Sequence, residues 1–382
     1  MLRTGCATIG LLVAGLALPA SAVGDSSDPD AVQVHAFISQ GALLSIDNNY
    51  LAHDTAGTLE FDEAGINFTK RLDDRLSAGV QLFARDLGGS DYNAAFDWFD
   101  LDYHWQDWLG VRAGRVKLPF GLYNDTSDID AAQPVVLLPQ SIYAIQDRTF
   151  TLAQTGLEVY GFKPIGHDNG ALQYELYGGA LTIPLASSAV ERIDDDRVPY
   201  LVGGRVMYET PVDGLRVGVS GLTGHIDGHV TVLEPVQLPS FPFTIKTSEA
   251  VGSIEYLGNG ILLAAEYLRQ HTYLDEDPLP DQVETSEAMY ALAGYRWRPW
   301  LTTTAYYSLL YPNAAAKSGI ANHQHDAALC LRFDINPHWL VKLEGHFMRG
   351  TAGLSGSPNG DVPLDMLADQ WGLFAAKTTV YF

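Results

Sequence analysis

The stretch "HWLVKLEGHFM", residues 338–348, decides the fold class. Trp339, Val341, Leu343, Gly345 and Phe347 fall on one parity, and Lys342, Glu344 and His346 fall on the other. Successive side chains of a β-strand point to opposite faces, whereas a helix repeats every 3.6 residues. The stretch therefore reads as a strand with one apolar and one charged face. The pattern recurs along the chain. In 327–334, Ala327, Leu329, Leu331 and Phe333 oppose Arg332 and Asp334. In 289–297, Met289, Ala291, Ala293, Tyr295 and Trp297 oppose Arg296. In 214–222, Leu215, Val217 and Val219 oppose Arg216 and Ser220.

Two architectures bury such strands: a soluble sandwich with a central core, and a membrane barrel with its apolar face outward. The connections separate them. Short ones at 72–75, 106–110, 163–170, 210–214, 257–260, 298–300 and 335–338 alternate with long ones near 46–57, 86–93, 119–152, 183–198, 227–247, 274–286, 311–322 and 349–368. Strict segregation of loop lengths is a feature of outer-membrane barrels, which have even strand numbers, short inner turns and long outer loops. The expectation is an all-β transmembrane antiparallel barrel of about 16 strands, each spanning with about 9–11 residues. Lipid offers no hydrogen bonds to a free backbone, so the sheet must close on itself. Trp105, Trp108, Trp297, Trp300 and Trp339 lie beside short connections, where an interfacial girdle belongs.

Composition agrees. The first residues carry Arg3, an apolar run to Pro19, and "ASA" at 20–22, the layout of a secretory signal peptide cleaved after Ala22. The barrel domain is then 23–382. Beyond the signal no apolar run reaches the 18 residues of a membrane helix. Cys6 lies in the signal, so Cys330 has no partner for an intramolecular disulfide. A formal charge of −23 argues against nucleic acid as a partner. The acidic runs "IDDDR" (193–197) and "LDEDPLPD" (274–281) read as solvated loops.

The longest connection, "NDTSDIDAAQPVVLLPQSIYAIQDRTFTLAQ" (124–154), is long enough to imply a function. Its apolar "VVLLP" suits no water-exposed outer loop, so this third long loop is expected to fold into the lumen and narrow it. The strand before it holds Arg112, Arg115 and Lys117. Alternation sends Arg112 inward but Arg115 and Lys117 toward lipid, which is costly at mid-bilayer. A bulge near Gly114 would turn both inward; a place near the membrane surface is the alternative. The preceding strand, 99–105, directs Asp100, Asp102 and His104 inward, with Asp102 near Arg112. With Asp125, Asp128, Asp130 and Arg148 from the loop, these residues form a candidate constriction carrying both signs, as selective pores do.

The signal peptide, "GRVKLPFGLYND" (114–125) running into the long third loop, "GLEVYGF" (156–162) and the final Phe382 together resemble a Gram-negative outer-membrane porin, nearest to the phosphate-selective branch. That resemblance implies 16 strands, a homotrimer, the third loop at the eyelet, and Phe382 as a signal for the barrel-assembly machinery. That branch relies on ladders of arginine and lysine, whereas this chain is acidic, so anion selectivity is not carried over. The expected function is passive diffusion of small hydrophilic solutes or ions across the outer membrane, with no cofactor or metal. Phosphate-type uptake is the alternative. Enzyme motifs such as G-x-S-x-G are absent, "HQH" (323–325) is at most a weak metal pair, and about ten residues before the first strand leave no room for a plug. An additional adhesin role for the outer loops stays open.

Overall fold

A computed structural model describes residues 31–88, 92, 94–166, 168–181, 191–232, 240–276, 280–355 and 357–382. The expected signal peptide, 1–22, lies outside the described residues. Sixteen strands follow in chain order: β1 (Gln33–Ile46), β2 (Phe61–Arg71), β3 (Leu76–Leu87), β4 (Ala95–Gln106), β5 (Leu109–Lys117), β6 (Ala153–Pro164), β7 (Ala171–Ala180), β8 (Glu191–Glu209), β9 (Leu215–Val232), β10 (Phe241–Gly258), β11 (Ile261–Glu276), β12 (Gln282–Arg298), β13 (Leu301–Tyr311), β14 (Gln324–Asn336), β15 (Trp339–Gly350) and β16 (Gln370–Tyr381). Each pairs antiparallel with its sequence neighbours, and β1 pairs with β16, so the sheet closes.

Closure involves the last residue. The Phe382 N–H donates to the Ala36 carbonyl and the Ala36 N–H donates to the Phe382 carbonyl, each at 2.9 Å. Both terminal strands thereby lose their free edges. Side chains alternate as the period of two requires. On β15, Lys342 and Glu344 are buried inside the barrel while Trp339, Leu343 and Phe347 are exposed outside. On β16, Phe374 and Val380 point out and Lys377, Thr379 and Tyr381 point in. Five of the seven tryptophans, Trp105, Trp108, Trp297, Trp300 and Trp339, are exposed beside the short turns. Trp105 and Trp108 meet edge to face, as do Tyr295 and Trp297.

Strand lengths depart from the sequence expectation. β8 to β12 have 16–19 residues, well beyond the span of a membrane strand. Their extra length lies at the long-connection end. Much of the described part of 183–198, 227–247 and 274–286, read as loops, is therefore strand. Residues 193–197 of "IDDDR" lie within β8, and Leu274–Glu276 of the second acidic run end β11. The outward face of this extension is polar: Lys246 and Ser248 on β10, Arg269 and His271 on β11. Apolar residues such as Ile254, Leu263 and Tyr267 occupy that face lower down. Backbone pairing needs no apolar face, so the ladder continues past the point where lipid-facing side chains stop.

Candidate functional site

The connection between β5 and β6, residues 118–152, turns into the barrel at once. Gly121 makes the turn with φ 58°, a left-handed conformation that glycine adopts without strain. A side chain there would collide with the Tyr143 hydroxyl. The Gly121 N–H donates to Ser220 of β9, and its carbonyl accepts from Arg205 of β8 at 3.0 Å. The Leu122 N–H and the Tyr143 hydroxyl both donate to Glu266 of β11. Beyond Asp125, which pairs with Arg205, the segment crosses to the opposite wall.

There the inward side chains of β14, β15 and β16 grip it. Lys342 Nζ donates to the Asp130 carbonyl at 2.6 Å and to the Val135 carbonyl at 3.0 Å. The Glu344 carboxylate accepts from the Val136 and Leu137 N–H groups at 2.6 and 2.9 Å. Arg332 donates to the Ala131 carbonyl at 2.7 Å. His346 sits between Asp326 and Glu344 and completes the network. Around these bonds the apolar run is dry: Val135 is 0% and Leu137 1% exposed. It packs with Leu43 of β1, Tyr290 and Leu292 of β12, Tyr306 of β13, Cys330 of β14 and Leu373 of β16. The inward face is therefore not uniformly polar, as pure alternation implied. From β11 round to β1 it carries enough apolar surface to seat the loop.

The remainder, 144–152, returns along β3, β4 and β5. Arg85 donates to the Ile145 carbonyl, and Arg115 donates to the Thr149 carbonyl at 3.0 Å and to the Asp97 carbonyl at 2.8 Å. Arg148 forks onto the Asp97 carboxylate at 3.0 and 2.7 Å and lies over the Phe83 ring. Lys117 pairs with Asp128 and donates to the Asp125 carbonyl.

Seven of the eight candidate residues thus fall into three groups rather than one ring. Lys117, Arg115, Arg148 and Asp128 gather at the loop's two ends, joined through Asp97 and Gln81. Asp130 lies at the far wall with Lys342, Lys377 and Thr379. Arg112 is nearer the short turns. It holds Asp102 at 3.0 Å and Glu158 at 2.7 Å, stacks on Tyr160, and bonds to no loop residue. Asp100, half-buried opposite Gly79 and Gly114, makes no hydrogen bond or ion pair among the described residues.

Arg115 and Lys117 reach inward without the expected bulge. The ladder to both neighbours runs in register through Phe99↔Arg115 and Lys117↔Ala153. Gly114 instead takes φ 139°, where any side chain would strike the Phe99 carbonyl, and the local distortion redirects the two cations. A register shift does occur on the neighbouring pair, between Gln81 and Leu82 opposite 96–98. It turns both Asp97 and Trp98 toward the interior. Strict alternation hides Asp97 for this reason, although it is the main partner of Arg148.

The loop fills the barrel unevenly and leaves a cavity of about 490 Å³. Leu201, Leu222, Leu268 and Leu310 line its wall, and Phe120, Ile142 and Phe150 line it from the loop. Leu268 and Leu310 lie closer to the long connections than Ala264 and Tyr306, so the cavity is on that side of the seated segment.

No protein-family model matches the sequence, and no curated protein sequence does. Solved structures do match. The outer-membrane expressed OmpT of Vibrio cholerae aligns over 94% of this chain and 99% of its own, with a TM-score of 0.59 and 13% identity. The anion-selective porin from Comamonas acidovorans aligns over 92% and 99%, with a TM-score of 0.57 and 14% identity. The fold is that of the outer-membrane porins. Salmonella typhi OmpF, solved in complex with daunomycin, shares this porin fold with a TM-score of 0.57 over 93% of this chain and 98% of its own, at 12% identity.

Proposed function

We propose that this chain is an outer-membrane channel for passive diffusion of small hydrophilic solutes or ions, narrowed by residues 118–152. One observation carries the reading: a closed barrel with an apolar exterior holds a long connection across its interior and still leaves a cavity beside it. Charges of both signs stand around that connection. Arg85 and Arg115 end on backbone carbonyls rather than carboxylates, and acidic side chains line the cavity. Selectivity then follows from width and local charge. No step of bond chemistry enters the reading, and the reading calls on no cofactor or metal.

Anion-selective uptake of the phosphate type is less well supported, because Arg112, Arg148, Arg205, Arg216, Arg332, Lys117, Lys342 and Lys377 each pair with a carboxylate. Export would remove 1–22, and the barrel-assembly machinery would read Phe382, whose bonds to Ala36 close the sheet. A homotrimer in the lipid of the outer membrane is the proposed assembly; an OmpT of Vibrio cholerae with the same fold was solved in a trimer form.

Single-channel recording on purified, folded protein in a planar bilayer tests the function. Discrete conductance steps are expected, and their absence refutes the channel. Reversal potential in a salt gradient then gives the sign preference.

A further inference from the structure

The cavity beside the seated loop has a charge pattern unlike the rest of the interior. Six acidic, basic or histidine residues line it: Glu63, Asp147, Arg148, His225, Glu249 and Lys377. Four have partners. Arg148 is held by Asp97, Lys377 by Glu63 and Asp130, and the His225 ring lies against Tyr200 and Asp227. Glu249 and Asp147 remain, and neither carboxylate has a hydrogen bond or ion pair among the described residues. The unpartnered titratable groups at the cavity wall are therefore both carboxylates, which an incoming cation would hold in the charged form.

Glu249 stands in apolar surroundings. On β10 it lies between Leu222 of β9 and Gln270 of β11, with Leu201, Leu268 and Phe120 lining the same space. Gln270 is occupied elsewhere, bonding Thr247 and Ser286. Nearby, the Tyr177 hydroxyl is buried without a partner, its ring packed with Leu118 and Leu201. An unpaired carboxylate among apolar side chains carries a desolvation cost. A cation placed against it would offset that cost, and the leucine and phenylalanine walls would favour a guest with an apolar body. The volume lies in the range of small-molecule sites, which are mostly apolar with a few placed polar groups.

We infer that this cavity binds amphiphilic organic cations, small molecules with an aromatic or branched aliphatic body and one positive charge, with Glu249 as the counter-charge. The inference deepens the channel reading and rests on it only for the route by which the cation arrives.

Titration calorimetry of the full chain folded in detergent tests it directly. The probes are benzyltrimethylammonium, whose charge is independent of pH, and benzoate as its anionic counterpart. The cation should bind saturably and benzoate should bind at least tenfold more weakly, a comparison that needs no variant. Glu249→Gln should weaken the cation at least tenfold, and Leu222→Trp, which fills the cavity, should abolish binding. Equal binding of the two probes overturns the inference, as does undiminished binding to a folded Glu249→Gln. Conductance steps without cation binding overturn it and leave the channel intact. Charge-dependent binding without conductance steps upholds it and refutes the channel.

Discussion

Two walls of this barrel hold the same loop by opposite means. At β14–β16 the barrel's own charged side chains are fully buried and grip the loop's backbone: Lys342 on two carbonyls, Glu344 on two N–H groups. Apolar packing surrounds them. At β3–β5 the cations Arg85 and Arg115 also reach loop carbonyls, but the segment they hold, 145–151, is half exposed. On that side the dry contacts are Arg148 with Asp97 and Gln81 with Asp128. Charge alone does not fix how firmly a segment is held. Removing one partner of a buried pair strands the other at about 3–5 kcal/mol, whereas an exposed pair contributes about 0–1 kcal/mol.

The largest effect should follow Lys342→Met. It strips Asp130 of its closest cation, leaves the Val135 carbonyl unbonded, and leaves the Asp130 carbonyl only the Gln133 N–H. A loss of about 3–5 kcal/mol is expected, read as a lower unfolding midpoint and a larger, noisier single-channel conductance. Unchanged conductance would mean the dry wall does not seat the loop. Leu137→Ala should come next, at about 3 kcal/mol for a buried leucine, with the same direction in conductance.

Acid should act on the salt-bridged aspartates of the loop. Burial alone would raise Asp125, Asp128 and Asp130, but Arg205, Lys117, Lys342 and Lys377 hold all three below the ordinary carboxylate value. Depressed groups contribute stability above the free value, near 3.9, and lose it as pH falls through their depressed values. Conductance should therefore be insensitive to these aspartates from pH 8 to 5, and loosen only below about pH 4. The smallest change in stability should come from Arg115→Ala, about 1 kcal/mol or less. Its effect should appear instead in the reversal potential, moved toward cations. A large loss of stability there would erase the distinction between the walls.

Much of this was legible beforehand. Alternation in "HWLVKLEGHFM" placed Lys342, Glu344 and His346 inside, and "VVLLP" marked the segment that needed cover. Alternation gives a face but not a partner, so it makes Glu344 a lumen carboxylate and says nothing of its bonds to the Val136 and Leu137 N–H groups. It also fails wherever the ladder shifts or twists. Asp97 is inward because of the register shift opposite Gln81, and Arg115 and Lys117 are redirected by the backbone of Gly114. Ile193, Asp194 and Arg197 pair with β9 because that strand continues beside them, a fact no local pattern carries.

By itself, the sequence determined the strand count, the sidedness of the regularly alternating strands such as β14 and β15, and the segregation of short from long connections. These rest on a period of two and on the rule that lipid leaves no backbone group unpaired. Only the tertiary structure decided which charges neutralise one another and which stay free. Glu249 is no different in sequence from Glu255, which pairs with Arg216 at 2.6 Å. Pairing is a matter of a few ångströms across a closed surface, between residues whose separation along the chain carries no information about that distance.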